Sequence, residues 1–172
     1  ESPWRVGLAF GIIGPGDVES SVVPKLLESE DKSLMQFAGG FTWGRFRSRQ
    51  WQWVDEINTT NWTPSQIGQF LAFLPFTSDT WKRVTQLLRE DESPYWSKAS
   101  VNPYGNDQNI EMAIDRLVEY GRARDAIICF KQIQYKKKKL NSQQAIRVLQ
   151  ALLQSPQGFN DIDFHAVIEV IK

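Results

Sequence analysis

The densest chemistry in the chain lies between Trp43 and Trp53, where Arg45, Arg47 and Arg49 alternate with Trp43, Phe46, Trp51 and Trp53. Guanidinium groups interleaved with aromatic rings can build a stacking surface for bases or for a peptide. The same residues can instead fill a helical core, with rings packed inside and arginines reaching outward along their aliphatic stems. A second cluster runs from Arg116 to Arg147, with nine basic residues against two acidic ones. It includes Arg122, Arg124 and the run Lys136, Lys137, Lys138, Lys139 beside Tyr135. Such a stretch can neutralise phosphates or dock an acidic partner. It is also what a helix C-terminus favours, because lysines complement its exposed carbonyls. The first 31 residues hold six acidic and two basic side chains, so an opposite patch is available within the chain itself.

No constellation points to catalysis. Gly11-Ile-Ile-Gly14-Pro-Gly16 lacks the spacing and the Gly-Lys-Ser/Thr ending of a phosphate loop, and Asp17 behind it would repel an anion. It is expected to be a turn. Asp161, Asp163 and His165 have metal-type side chains, but spacing i, i+2, i+4 converges on a strand and not on a helix. Cys129 sits in the apolar run Ile-Ile-Cys-Phe, a setting that keeps a thiol protonated, and His165 is the one histidine available as a base. Glu90, Asp91 and Glu92 fall in a loop-like run with nothing to separate acid from base. The expectation is a protein with no catalytic residues, no metal and no cofactor.

The composition is that of a folded chain. Apolar residues make up 41% and charged ones 23%, and seven tryptophans supply ample core material. With 20 basic and 20 acidic residues, global charge gives no attraction to nucleic acid or anionic lipid. The longest apolar stretch, Val6 to Gly14, is about half of the roughly 18–20 residues a membrane span needs. It has neither the basic flank nor the cleavage site of a signal peptide. A single cysteine forbids an internal disulfide and suits a reducing, cytoplasmic setting. The opening Glu-Ser-Pro-Trp and the unfinished apolar pattern at Ile171-Lys172 read as a segment of a larger protein.

The elements that must position these residues are helical, since apolar residues return every three or four positions from about residue 17 onward and alternation is nearly absent. Asp17 can cap a short helix, Pro24 opens a turn through Leu27, and Asp31 caps a longer helix with Leu34, Phe37 and Phe41 inward. That helix carries Gly39, Gly40 and Gly44, which invite close approach of a backbone or of a nearby ring such as Trp43, Phe46, Trp51 or Trp53. Thr63-Pro64-Ser65-Gln66 is a capping box for Ile67, Phe70, Leu71 and Leu74, and Pro75 ends that helix. The next, from Ser78 or Asp79, presents Trp81, Val84, Leu87 and Leu88. Further helices are expected at 109–120 (Ile110, Ala113, Ile114, Leu117), at 123–135 (Ile127, Phe130, Ile133) and at 142–153 (Ile146, Leu149, Leu152, Leu153). A last one should start near Asp161 with Phe164, Val167, Ile168 and Ile171. Short connections imply antiparallel neighbours. Pro94, Pro103 and Gly105 mark an irregular connection at 93–106, dividing an N-terminal helical cluster (1–92) from a C-terminal one (107–172).

The segment Leu117-Val-Glu-Tyr-Gly121-Arg-Ala-Arg-Asp-Ala126-Ile-Ile-Cys-Phe130 resembles the turn of a tetratricopeptide repeat. Gly121, Ala126 and Phe130 match that family's spacing of helix-ending glycine, small crossing residue and aromatic. The tryptophan-leucine-glycine pattern of the first helix is replaced by Ile110, Ala113 and Ile114, Lys138 stands where the closing proline belongs, and no 34-residue period runs through the chain. The resemblance spans about one repeat. It implies an irregular stack of antiparallel helical hairpins, an α-solenoid with HEAT-like pairing as the neighbouring form, offering a groove to a protein or peptide.

The chain is therefore expected to be all-α and to act as an interaction module or scaffold within a larger protein. Two alternatives stay open: nucleic-acid binding through the basic stretch, and an accessory role beside an enzyme domain of the same parent.

Overall fold

A computed structural model describes residues 2–14, 19–103, 109–135 and 141–155. Among them the regular structure is entirely helical: α1 (Pro3–Ile13), α2 (Glu19–Leu27), α3 (Lys32–Glu56), α4 (Pro64–Ala72), α5 (Ser78–Leu88), α6 (Ser93–Trp96), α7 (Ile110–Glu119), α8 (Ala123–Tyr135) and α9 (Ser142–Leu153). The Asp17 cap, the lysine run 136–139 and the helix expected from Asp161 lie outside the described residues. The chain divides into two compact units, Glu1–Pro75 with Arg83–Ala99, and Phe76–Lys82 with Ser100–Lys172.

The first unit is organised by a crossing of α1 and α3 at glycine. A Cβ on Gly7 would collide with the carbonyl oxygen of Phe37, and one on Gly11 with that of Phe41. From the other side, a Cβ on Gly40 would strike the carbonyl of Trp4, and one on Gly44 that of Leu8. Two glycines four residues apart on each helix thus let the backbones touch, which any side chain would prevent. The close approach expected at Gly39, Gly40 and Gly44 is present, but the partners differ. The backbone of α1 meets Gly40 and Gly44, and the rings at Gly39 belong to Trp4 and Phe73. The helix α1 itself was hidden. Val6 to Ile13 is apolar all round, so it shows no amphipathic period, and Gly11, expected in a turn, lies inside it.

Local signals place most other boundaries. Asp31 accepts from the backbone N–H of Ser33 at 2.7 Å and starts α3. Thr63 and Gln66 complete a capping box, Gln66 N–H donating to Thr63 Oγ1 at 3.2 Å and Thr63 N–H to Gln66 Oε1 at 2.7 Å. Ile67, Phe70, Leu71 and Leu74 are buried as the spacing required. Pro24 stands inside α2 and does not open it. Its carbonyl accepts from Gln66 Nε2 at 3.1 Å, so α2 is docked at the start of α4. The irregular connection contains the short α6, which buries Tyr95 and Trp96 and sets Pro94 against Gly68 of α4.

In the second unit α7, α8 and α9 pack on one another. Gly121 ends α7 with φ +74°, while its N–H donates to Val118 O (3.0 Å) and that of Arg122 to Leu117 O (2.7 Å). This pair of bonds satisfies the last carbonyls of α7 and turns the chain into α8. Leu117, Ala126 and Phe130 are all buried there. The inward face of α9 is the expected one only at Leu152. Gln144, Val148 and Leu152 are buried, whereas Ile146 and Leu153 are exposed. Gln144 donates from Nε2 to the Glu111 carbonyl at 2.8 Å on the same face as the buried Val148 and Leu152.

Candidate interaction surfaces

The Arg/Trp cluster proves to be layered from core to solvent. Trp53 is 1% exposed, with its ring edge-on to Phe70 at 5.5 Å and its Nε1 donating to Glu19 Oε2 at 2.5 Å. Arg45 is 5% exposed and points inward, against the expectation that the arginines of this run reach out. Its guanidinium pairs with Glu19, donates to the Gly14 carbonyl at 2.8 Å and lies 5.3 Å from the Phe41 ring centre. Partners cannot touch Arg45 or Trp53 without rearranging this core. Trp43 and Trp51 are half-buried about Phe46, at 5.7 Å and 4.8 Å between ring centres. Arg83 covers Trp51 at 4.3 Å and grips Asp55 with two 2.7 Å bonds, which hold the Asp55 carboxyl below the usual range. Arg47 and Arg49 are exposed, and Arg49 pairs with Glu56 at 2.8 Å.

Gln50 carries the strain of this region. Its φ of 52° and ψ of −150° interrupt α3 and place a side chain where glycine is at home. The break lies just before Trp51 and Trp53, and the buried Trp53 follows the core-filling reading of this run.

Three arginines of the basic stretch in the second unit are paired with carboxylates. Arg116 meets Glu119 at 2.8 Å, Arg122 meets Asp125 at 2.8 Å, and Arg147 meets Asp115 at 2.9 Å. Arg124 is half-buried on α8. These pairs lower the field that a phosphate backbone would sense.

The remaining reactive groups have structural surroundings. Cys129 is buried, and loss of water pushes its thiol up to about 12. Glu92 is buried and accepts from Trp96 Nε1 and Thr85 Oγ1, each at 2.7 Å, while its neighbour Asp91 accepts from the backbone N–H of Ser93 at 2.9 Å. Among the described residues no cluster of three metal-type ligands occurs. Asp161, Asp163 and His165 lie outside them.

The surface that sequence reasoning missed is an apolar groove of about 250 Å³ between α1, α2 and α3, lined by Phe10, Val22, Val23, Leu26, Phe37 and Phe41. Beside it Val6, Phe10 and Ile13 follow one another at i, i+4 and i+7, and Phe10 and Ile13 are 49% and 82% exposed. Leu34, expected inward with Phe37 and Phe41, is also exposed. The signal was available in Val6–Ile13: an entirely apolar helix whose close contact is made by glycines must leave its large side chains elsewhere.

No family model, curated protein or solved structure matches the chain. Among the described residues no helix is long and apolar enough to cross a membrane.

Proposed function

We propose that this chain is a non-catalytic helical module that binds a partner protein. The observation that carries this reading is the apolar groove between α1, α2 and α3 together with the uncovered stripe of Val6, Phe10 and Ile13. Helices that are apolar all round are normally covered, and contiguous exposed apolar surface commonly marks an interaction site. The occupant we assign is the apolar face of a partner helix. Val6 to Ile13 spans two turns, about 10 Å, which matches anchors at i, i+4 and i+7 on an entering helix. The lining offers no charge, so its anchors are aliphatic or aromatic.

The second unit supports the same reading more weakly, through the helix-ending Gly121 and the buried Ala126 and Phe130. These favour a tetratricopeptide-like stack of hairpins. The lone buried thiol of Cys129 suits an intracellular setting. Nucleic-acid binding is the less favoured function, since the described arginines at 116, 122 and 147 are each paired with a carboxylate.

The test is selection of helical peptides from a displayed library on the whole chain, followed by anisotropy titration against wild type and Phe10→Glu. Selected peptides should carry apolar residues at i, i+4 and i+7, and Phe10→Glu should weaken them by about a hundredfold. Selected peptides that bind Phe10→Glu as well as wild type would overturn the reading. So would self-association through the groove, seen by sedimentation and abolished by Phe10→Glu, or Phe10-dependent binding to phosphatidylcholine vesicles.

A further inference from the structure

We infer that α2 is a hinged wall of the groove, held closed by the buried pair of Glu19 and Arg45. This inference takes its purpose from the docking reading, although the motion itself is measurable without any partner. The helix α2 has nine residues, too few to be stable alone, and Pro24 removes one of its internal hydrogen bonds. Val23 and Leu27 are its buried apolar anchors among the described side chains. Among the described side chains its polar ties sit at defined points. Glu19, its first residue, accepts from Trp53 Nε1 and pairs with Arg45 of α3, and the Pro24 carbonyl accepts from Gln66 of α4. Between them Val22, Val23 and Leu26 form one side of the groove, opposite Phe10, Phe37 and Phe41.

The ion pair defines position more than it adds adhesion. Burying two charges costs solvation that offsets much of their attraction, so such a pair favours one geometry without gluing it firmly. The same Arg45 also donates to Gly14 O at the end of α1. One guanidinium therefore ties the end of α1 and the start of α2 to α3. When it lets go, α2 keeps only the Trp53 bond at its N-terminal end, while the glycine crossing of α1 and α3 is untouched. The Gln66 contact then serves as the hinge, and the groove widens on the side of Val22. A partner helix with bulky anchors would bind the widened form, and the pair would re-form around a slimmer one.

The experiment is native-state amide hydrogen exchange on the whole chain, across a series of low urea concentrations. In the wild type, α2 amides should exchange at least about tenfold faster than those of α3 and α4, through an opening that depends little on urea. Glu19→Gln, which keeps an acceptor for Trp53 but removes the charge, should speed α2 by about a further tenfold and leave α4 unchanged. Equal rates and equal urea dependence for α2, α3 and α4 in the wild type would overturn the inference, even if the variant fails to fold. Uniform acceleration of all three helices in Glu19→Gln would overturn it as well. Selective opening of α2 together with peptide binding that ignores Phe10→Glu would sink the docking reading alone. Peptide binding that needs Phe10, with α2 exchanging only by global unfolding, would sink the hinge alone.

Discussion

Trp53 donates its indole proton to Glu19 across 34 residues of chain, and both groups are buried. The bond joins the interrupted C-terminal part of α3 to the first residue of α2, where Arg45 already balances the carboxylate. Replacing Trp53 by Phe keeps a ring against Phe70 but leaves one carboxylate oxygen of Glu19 without its donor. Urea denaturation should show a loss of about 2 kcal/mol, the range for a buried charged acceptor left short of a bond. A loss below about 0.5 kcal/mol would mean that water reaches Glu19.

At Gly40 two rules oppose each other. Helix propensity alone would make Gly40→Ala stabilising by about 1 kcal/mol. The carbonyl of Trp4 occupies the space of the new methyl group, so the helices must move apart. We expect a net loss of about 2–3 kcal/mol, as for overpacked cores. Thermal unfolding of the variant decides between them.

At Gln50 the opposite outcome follows. Its φ of 52° with ψ of −150° is a conformation that glycine adopts freely. Gln50→Gly should therefore raise stability by about 1 kcal/mol, net of the added entropy of the unfolded chain. Gln50→Ala retains the strain and should not. Equal effects of the two substitutions in denaturant titration would refute the assignment.

Alkaline pH reads out Cys129. Its thiol titrates at about 12 when folded, above the ordinary 9.0, because burial disfavours the thiolate. Above pH 9 the unfolded chain releases this proton first, so its stabilising contribution is whole below pH 9 and declines as pH rises toward 12. The slope is about 1.4 kcal/mol per pH unit. Lysines and tyrosines titrate in the same window, so the measurement is the difference in slope between wild type and Cys129→Ala. The same burial should make alkylation of Cys129 follow unfolding and not precede it.

How much of this was legible beforehand depended on where the deciding contact lay. Caps and turns act within four residues, so Asp31, Thr63 with Gln66, and Gly121 marked their helix ends in the sequence, and the spacing of Ile110, Ala113, Ile114 and Leu117 named the buried face of α7. Helix α9 carried two apolar stripes, and its packing on α7 and α8, with Gln144 bonded to the Glu111 carbonyl, buried the one that holds Val148 and Leu152. The Arg/Trp run showed its residue types but not its layering, because a break at Gln50 and a carboxylate 34 residues before Trp53 sort which side chains face inward.

The sequence by itself determined that the described residues are helical, where several of the helices begin or end, and that Cys129 is sheltered, because these follow from local capping and from the apolar period. Tertiary structure alone decided that α1 is a helix pressed glycine to glycine on α3, that Arg45 lies inside, and that a groove opens beside Phe10. Those outcomes depend on which backbones meet, and a residue's own neighbours in the chain hold no record of that.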